Sequence, residues 1–378
     1  MATFVRKFTK RIFILANIFV VFFFLLACLN AFLNPLKWWW IAVLGPGFPY
    51  LLVLAIGFVV FWIIFRSKWV ILSLVALLLA FPNIKAFFGF NFSSSFKTEK
   101  DSGSIRILTW NVMWFDEQKK EDKTQKSRRK EMFEFIQSQN ADILCFQEFL
   151  EANRNKKPNY SNIEEIKKLG YPYYYWTKDY EINWGVYHAG VAIFSRHPIV
   201  DSARFQFKNL LKRRTAESLI SANIDINGRV LKVYTTHLQS FLLRKDDYRN
   251  IELIKNADDS IVEASKSLLR KLRAGYQSRA EQAQAVKIEM SKDSTASIIC
   301  GDFNDVPNSF TYFTIKGDRQ DVFIQKGFGI GRTYSNIAPT LRIDYILAGR
   351  EFRVKQVKRE ILPYSDHYPV IADLEWKQ

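Results

Sequence analysis

Ile12–Leu33 is a run of 22 residues without a charge, preceded by Arg6, Lys7, Lys10 and Arg11. About 20 apolar residues suffice for a helix to cross the hydrocarbon core of a bilayer. The run is too long for the core of a signal peptide, so it reads as a transmembrane helix. A second apolar run, Trp38–Phe65, opens on the cluster Trp38-Trp39-Trp40 and is interrupted at Gly45-Pro46-Gly47-Phe48-Pro49. Tryptophans placed there read as an interfacial belt. Arg66 and Lys68 make a basic turn, and a third run starts at Trp69. It is purely apolar only to Phe81, then meets Pro82, Asn83 and Lys85, so as a span it needs Lys85 to snorkel to an interface.

Loop charge sets the expected topology. Placing the basic N-terminus and the Arg66/Lys68 turn on the cytoplasmic side requires three spans and puts everything after residue 90 outside. With two spans that remainder would be cytoplasmic. Residues 1–90 are therefore expected to be a membrane region, 91–104 (rich in Ser, Lys and Asp) a linker, and 105–378 a separate domain. Nine of the 54 basic residues and none of the 37 acidic ones lie in residues 1–97, which leaves a net of +8 on residues 98–378. That lean suits an anionic partner, nucleic acid or lipid headgroup. Cys28, Cys145 and Cys300 are widely spaced in apolar runs and read as small buried hydrophobes, not as a disulfide framework or zinc site.

From Ile105 onward, apolar β-type runs alternate with polar helical stretches. Ser127–Gln139 reads as a basic amphipathic helix burying Met132, Phe135 and Ile136, and Asp246–Met290 as a long charged helix with Ile251, Ile254, Ile261, Leu268 and Leu272 at helical spacing. Four strand-like runs each end on a residue able to do chemistry: Asn111, Glu148, His237, and Asp302 with Asn304. The last is Ile298-Ile299-Cys300-Gly301-Asp302-Phe303-Asn304, where positions i and i+2 of a strand end point the same way. A polar turn would use the same residue types. Four such endings, with Asp344 and Asp366-His367 following, point to one site at one rim of packed sheets, whose buried strands read as near-continuous apolar runs.

The ordered set Thr109-Trp110-Asn111, Gln147-Glu148, Gly190-Val191-Ala192-Ile193 with Ser195 and Pro198, Thr236-His237-Leu238, Gly301-Asp302-Phe303-Asn304, Arg342-Ile343-Asp344-Tyr345 and Ser365-Asp366-His367-Tyr368-Pro369-Val370 resembles the endonuclease/exonuclease/phosphatase superfamily. That group includes pancreatic-type deoxyribonucleases, abasic-site endonucleases, neutral sphingomyelinases and inositol polyphosphate 5-phosphatases. The resemblance covers residues 105–376 and implies a four-layer α/β sandwich, two packed β-sheets flanked by helices. It implies that Glu148 binds a metal, Mg²⁺ or Mn²⁺ by its hard oxygen ligands, and that Asn111 helps hold the metal or the phosphate. Asp302 would orient or activate the attacking water, Asn304 would bind a phosphoryl oxygen, and His237 would offset charge there. His367 would contact the phosphate or move a proton, its ring fixed by Asp344 or Asp366. Some abasic-site endonucleases carry an acid two residues after the motif asparagine, where this chain has Met113.

The expected activity is hydrolysis of a phosphodiester by a membrane-anchored, Mg²⁺-dependent enzyme, nuclease-like or acting on a phospholipid such as sphingomyelin. The contrasting reading is a non-catalytic binding protein on the same fold. It leaves Glu148, Asp302, His237 and His367 together without a purpose. A transporter reading fails because the apolar runs contain no acidic residue. No protein partner is implied.

Overall fold

A computed structural model of the chain describes residues 2–92, 96–120, 127–207, 217–241 and 261–377. It divides into two compact units. One comprises Met1–Phe87, Leu242–Ala280 and Val306–Phe313; the other comprises Phe88–Phe241, Glu281–Asp305 and Thr314–Gln378.

The first unit is built on apolar helices. Phe4–Ala31 and Pro35–Ile64 are each long and apolar enough to cross a membrane. Val70–Leu79 and Phe81–Phe87 meet at a bend of 63° and together make a third candidate, as a broken span or a re-entrant loop. The bend falls at Ala80, two residues before Pro82, whose missing backbone N–H could not have continued the first helix. Asn34 caps the helix that begins at Pro35, accepting from the Leu36 N–H at 2.9 Å. Two buried polar pairs form in this apolar setting: Ser73 Oγ donates to Asn17 Oδ1 at 2.8 Å, and Asn83 Nδ2 to the Cys28 carbonyl at 3.2 Å.

The second unit is a two-sheet sandwich. Its strands are β1 (Gly89–Phe90), β2 (Ile105–Asn111), β3 (Ile143–Ala152), β4 (Tyr173–Trp176), β5 (Tyr180–Ile182), β6 (Tyr187–Ser195), β7 (Ile199–Phe205), β8 (Glu217–Ile226), β9 (Arg229–His237), β10 (Ser297–Asp302), β11 (Gln320–Asp321), β12 (Phe328–Gly329), β13 (Asp344–Ala348), β14 (Phe352–Arg359) and β15 (Val370–Trp376). One sheet runs β11-β13-β10-β9-β8-β7; the other runs β14-β15-β2-β3-β6-β4, with β5 added on β6. Their inner faces share one core. Ile107, Cys145 and Ile193 from one sheet pack with Ile220, Val233, Cys300 and Ile346 from the other. Cys145 and Cys300 are thus the small buried hydrophobes expected of them.

On the outer face of the seven-stranded sheet, Arg129–Ser138 is helical and buries Met132, Phe133 and Ile136, while Phe135 is only half-buried. The long helix covers Ile261–Ser291. Its buried stripe is Tyr276, Ala280, Ala283, Val286 and Met290; Leu268 and Leu272 are half-buried. The expected start at Asp246, with Ile251 and Ile254, lies outside the described residues. The described part of 91–104 is docked on the sandwich: Lys97 N–H donates to Gln356 Oε1 at 2.9 Å and Lys100 pairs with Asp142 at 2.6 Å. Arg106 is buried there, held by the two oxygens of Asp373 at 2.6 and 2.8 Å and by the Lys97, Thr98 and Gln139 carbonyls. Its five donors suit that many acceptors.

Candidate active site

Sheet register builds half of the site. β9 and β10 are parallel and β10 and β13 antiparallel, so Asp302 lies beside His237 on one side and Asp344 on the other. β8 extends the row, placing Glu217 opposite His237. The close approach of β9 and β10 depends on Gly301. Its φ is +142°, and a Cβ there would lie 2.1 Å from the Thr236 carbonyl oxygen.

The other sheet supplies the rest. Asn111 ends β2 in register with Gln147 of parallel β3. Glu148 does not end β3, as the sequence suggested. The strand continues to Ala152, and Glu148 sits at an irregularity between Phe146 and Phe149 with φ +51°. Bulges of this kind re-aim a side chain. Here the carboxylate leaves the pleat, half-buried, while Glu148 N–H donates to Glu217 Oε2 at 3.0 Å. His367 arrives from the loop before β15. Ser365 Oγ fixes that loop, donating to the Asn111 carbonyl at 2.8 Å and accepting from His367 N–H at 3.1 Å.

These groups meet at Asp302. Its Oδ2 lies 3.1 Å from Asn111 Nδ2, 3.5 Å from His237 Nε2 and 3.6 Å from His367 Nε2; its Oδ1 accepts from Asn304 N–H at 2.8 Å. Each imidazole has an acid behind it. His367 Nδ1 stands 3.1 and 3.0 Å from the two oxygens of Asp344. His237 Nδ1 stands 3.3 Å from Glu217 Oε2, an ion pair without hydrogen-bond alignment. Asp344, not Asp366, therefore fixes the His367 ring. Asp366 is half-buried beside it, and its carbonyl accepts from Ser335 N–H at 2.8 Å. Asn304 comes next to Asp302 by a turn at φ +52° and not by continued strand, and its Nδ2 donates to the Leu238 carbonyl at 2.9 Å. Asn111 Oδ1 accepts from Met113 N–H at 3.1 Å, and its Nδ2 also reaches Glu148 Oε1 at 3.3 Å.

Electrostatics follow from this packing. Burial opposes charge on His237, but Glu217, Asp302 and Glu148 outweigh it and raise its pKa to about 10. Burial likewise opposes charge on His367, and Asp344 and Asp302 raise its pKa well above the ordinary value. Both rings are thus biased toward the cationic form. Burial raises Glu148 to about 7, with Glu217 and Asp366 adding to the rise and His237 and His367 opposing it. Burial also raises Asp302, with Asp344 adding to the shift while His367 and His237 oppose it.

The arrangement is two imidazole rings, drawn from two sheets, aimed at one carboxylate oxygen, with a half-buried glutamate alongside. A profile of the endonuclease/exonuclease/phosphatase family matches residues 108–367. The chain belongs to this family. A domain of unknown function (DUF8431) matches residues 10–87. The human Nocturnin catalytic domain, solved with a bound sulfate anion, aligns at a TM-score of 0.51 with 18% identity over 73% of this chain and 94% of that one. An endonuclease/exonuclease/phosphatase from Beutenbergia cavernae aligns at 0.52 with 19% identity, over 72% of each chain. At these identities the likeness speaks to the fold. No curated protein matches the chain.

Members of the endonuclease/exonuclease/phosphatase family usually work with a divalent metal, and two places in this site offer acidic ligands. Asp302, Asp344 and His367 can each bring one ligand atom within 4.8 Å of the others. Both oxygens of Asp344 are, however, already committed to His367. Glu148 is the better fit. It is half-buried, its burial and then its neighbouring acids make its charge costly, and a hard cation with oxygen ligands would relieve that cost. Of the site, Glu217 was not legible in the sequence. It opens a strand of ordinary alternating residues, and only the pairing with β9 puts it beside His237.

Proposed function

We propose that the chain is a membrane-anchored, Mg²⁺-dependent phosphodiesterase, with residues 1–90 as its membrane region and 105–378 as its catalytic domain. The carrying observation is the convergence of His237 Nε2 and His367 Nε2 on Asp302 Oδ2. A metal held at Glu148 would supply Lewis-acid stabilisation of the phosphoryl group. Asp302 aligns the attacking water and takes its proton, because the ladder on both sides fixes the carboxylate. His237 and His367, kept cationic by Glu217 and Asp344, offset negative charge on the phosphoryl oxygens, and His367 can pass a proton to the leaving oxygen. Asn304 binds a phosphoryl oxygen through its amide. Asn111 keeps Glu148 and Asp302 in register; ligating the metal through its own Oδ1 would require it to release Met113 N–H.

The test is a hydrolysis screen with the purified full chain in detergent. Substrates are plasmid DNA, RNA, sphingomyelin, phosphatidyl lipids, inositol phosphates and the soluble diester bis(p-nitrophenyl) phosphate, each with Mg²⁺, with Mn²⁺ and with chelator. Metal-dependent cleavage of a diester is expected; cleavage of monoesters alone would overturn the reading. For topology we propose three spans and an extracytoplasmic catalytic domain. A reporter active only outside the cytoplasm should work when fused after Ser104, and activity from a cytoplasmic reporter there would refute this.

A further inference from the structure

Trp184 is the most exposed large apolar side chain among the described residues, 98% exposed. It sits at the tip of the hairpin joining β5 to β6, and its exposure is enforced by the backbone. Asn183, Trp184 and Gly185 have φ of +49°, +54° and +74°. Left-handed backbone is rare for a bulky residue and persists where surrounding contacts over-determine it. They do so here. Lys156 Nζ donates to the Trp184 carbonyl at 2.5 Å, Asn153 Nδ2 to the Gly185 carbonyl at 3.2 Å, and Asn153 N–H to the Val186 carbonyl at 2.8 Å. An indole held in water by a strained, braced turn has its apolar surface left over for something else.

The chemistry around it narrows what that is. The bracing segment carries Arg154, Lys156 and Lys157, and the hairpin's leading end carries Lys178. Arg154 pairs with Glu164 at 3.4 Å, Lys157 with Glu117 at 3.4 Å and Lys178 with Glu181 at 3.0 Å, while Lys156 stays on the Trp184 carbonyl. The other aromatics of the hairpin, Tyr180 and Tyr187, pack inward against Leu150 and Ala152. Single-stranded nucleic acid is held by successive stacking platforms along a basic groove; here one indole projects alone. A lone exposed Trp with Lys156 on its own backbone and exposed Arg154 on the bracing segment is the composition of an interfacial anchor on an anionic bilayer. The same chain carries helices long and apolar enough to span a bilayer. β3 runs past Glu148 to Ala152, which pairs with Tyr187, so the hairpin extends from the same rim as the candidate site.

We propose that the Trp184 tip docks into the headgroup region of an anionic membrane, and, resting on the phosphodiesterase reading, that it presents the site to a phosphodiester lipid. The test replaces Trp184 with cysteine in the full chain and labels it with an environment-sensitive fluorophore. The three native cysteines are buried. The protein is reconstituted in vesicles of phosphatidylcholine with or without phosphatidylglycerol. The label should shift to the blue and be shielded from aqueous iodide in the anionic vesicles. Arg154→Gln should weaken the shielding about fivefold, the weight of one basic side chain at such a surface. A label that stays fully quenchable by iodide in anionic vesicles overturns the proposal. So does shielding in detergent that appears only on adding a single-stranded oligonucleotide. In parallel, Trp184→Asn should lower hydrolysis of vesicle-borne lipid diester about tenfold or more and leave bis(p-nitrophenyl) phosphate untouched, since one interfacial aromatic governs access and not chemistry. Shielding without any diester hydrolysis would refute the phosphodiesterase reading and leave the docking intact. Hydrolysis with equal loss on both substrates would refute the docking role.

Discussion

The two sheets contribute to the candidate site in different ways. The six-stranded sheet provides His237, Asp302 and Asp344 as one row set by ladder register, with Glu217 added opposite His237 beyond a register irregularity in β8. The seven-stranded sheet provides Glu148 from a bulge and His367 from a loop pinned by Ser365. Ladder hydrogen bonds fix a side chain's origin cooperatively, whereas a bulge or a loop can shift by a torsion or two. We therefore assign alignment of the attacking water to the row, proton delivery to the pinned loop that carries His367, and the adaptable ligand for a metal to the bulge.

That division predicts an order of effects. The largest belongs to Asp302→Asn, which leaves shape intact but removes the shared carboxylate. Turnover should fall by at least about a hundredfold, the weight of a general base. His367→Ala should cost about as much, and the double variant much less than the product, because both act on one transition state. Near-normal turnover of Asp302→Asn, with an unchanged melting temperature, would reduce the Gly301 region to a turn.

Next comes Glu148→Gln. With Glu148 raised to about 7, protons compete with the metal below that pH. The Mg²⁺ needed for half-maximal activity should rise about tenfold per unit of acidification in the unmodified chain. In the variant it should be at least about tenfold higher throughout and lose this pH dependence, a loss comparable to disturbing a metal's supporting shell. An unchanged metal titration would remove Glu148 from the metal and erase the contrast between row and bulge.

Glu217→Gln tests the outer end of the row. His237 has a folded pKa of about 10 against 6.5 ordinarily, so the native state holds an extra proton between those values. The stability this gives is fully present below 6.5 and is lost as pH rises through about 10. Without the Glu217 charge the folded pKa should drop toward 6.5, so the variant should start less stable and its melting temperature should stop falling at a lower pH on the alkaline side. Identical profiles would show that Glu217 serves only to hold Glu148 N–H. The smallest effect is Ser365→Ala, which leaves His367 N–H without its acceptor and should cost about 1 kcal/mol by chemical denaturation. A turnover loss rivalling that of His367→Ala would instead make the loop the determinant of the site.

Much of this was legible in the chain itself. The apolar runs named the helices, because twenty apolar residues have few other fates. The strands buried on both faces announced themselves as continuous apolar runs ending in polar residues. Strands at the sheet edges did not. β7 is exposed along most of its length, and β14 is studded with Arg353, Lys355 and Lys358, the residues that protect an edge from further pairing. Helix periodicity located Met132 and Ile136 but placed Phe135 where Phe133 is the buried ring.

The sequence alone determined which residue types were available and in what order, since apolar period, turn chemistry and capping act over a few residues. Only the tertiary structure decided who meets whom. It chose Asp344 over Asp366 as the partner of His367, put Glu217 behind His237, and turned a strand residue into the bulged Glu148. Those outcomes depend on strand order and register between segments far apart in the chain, and no local pattern encodes which strand lies next to which.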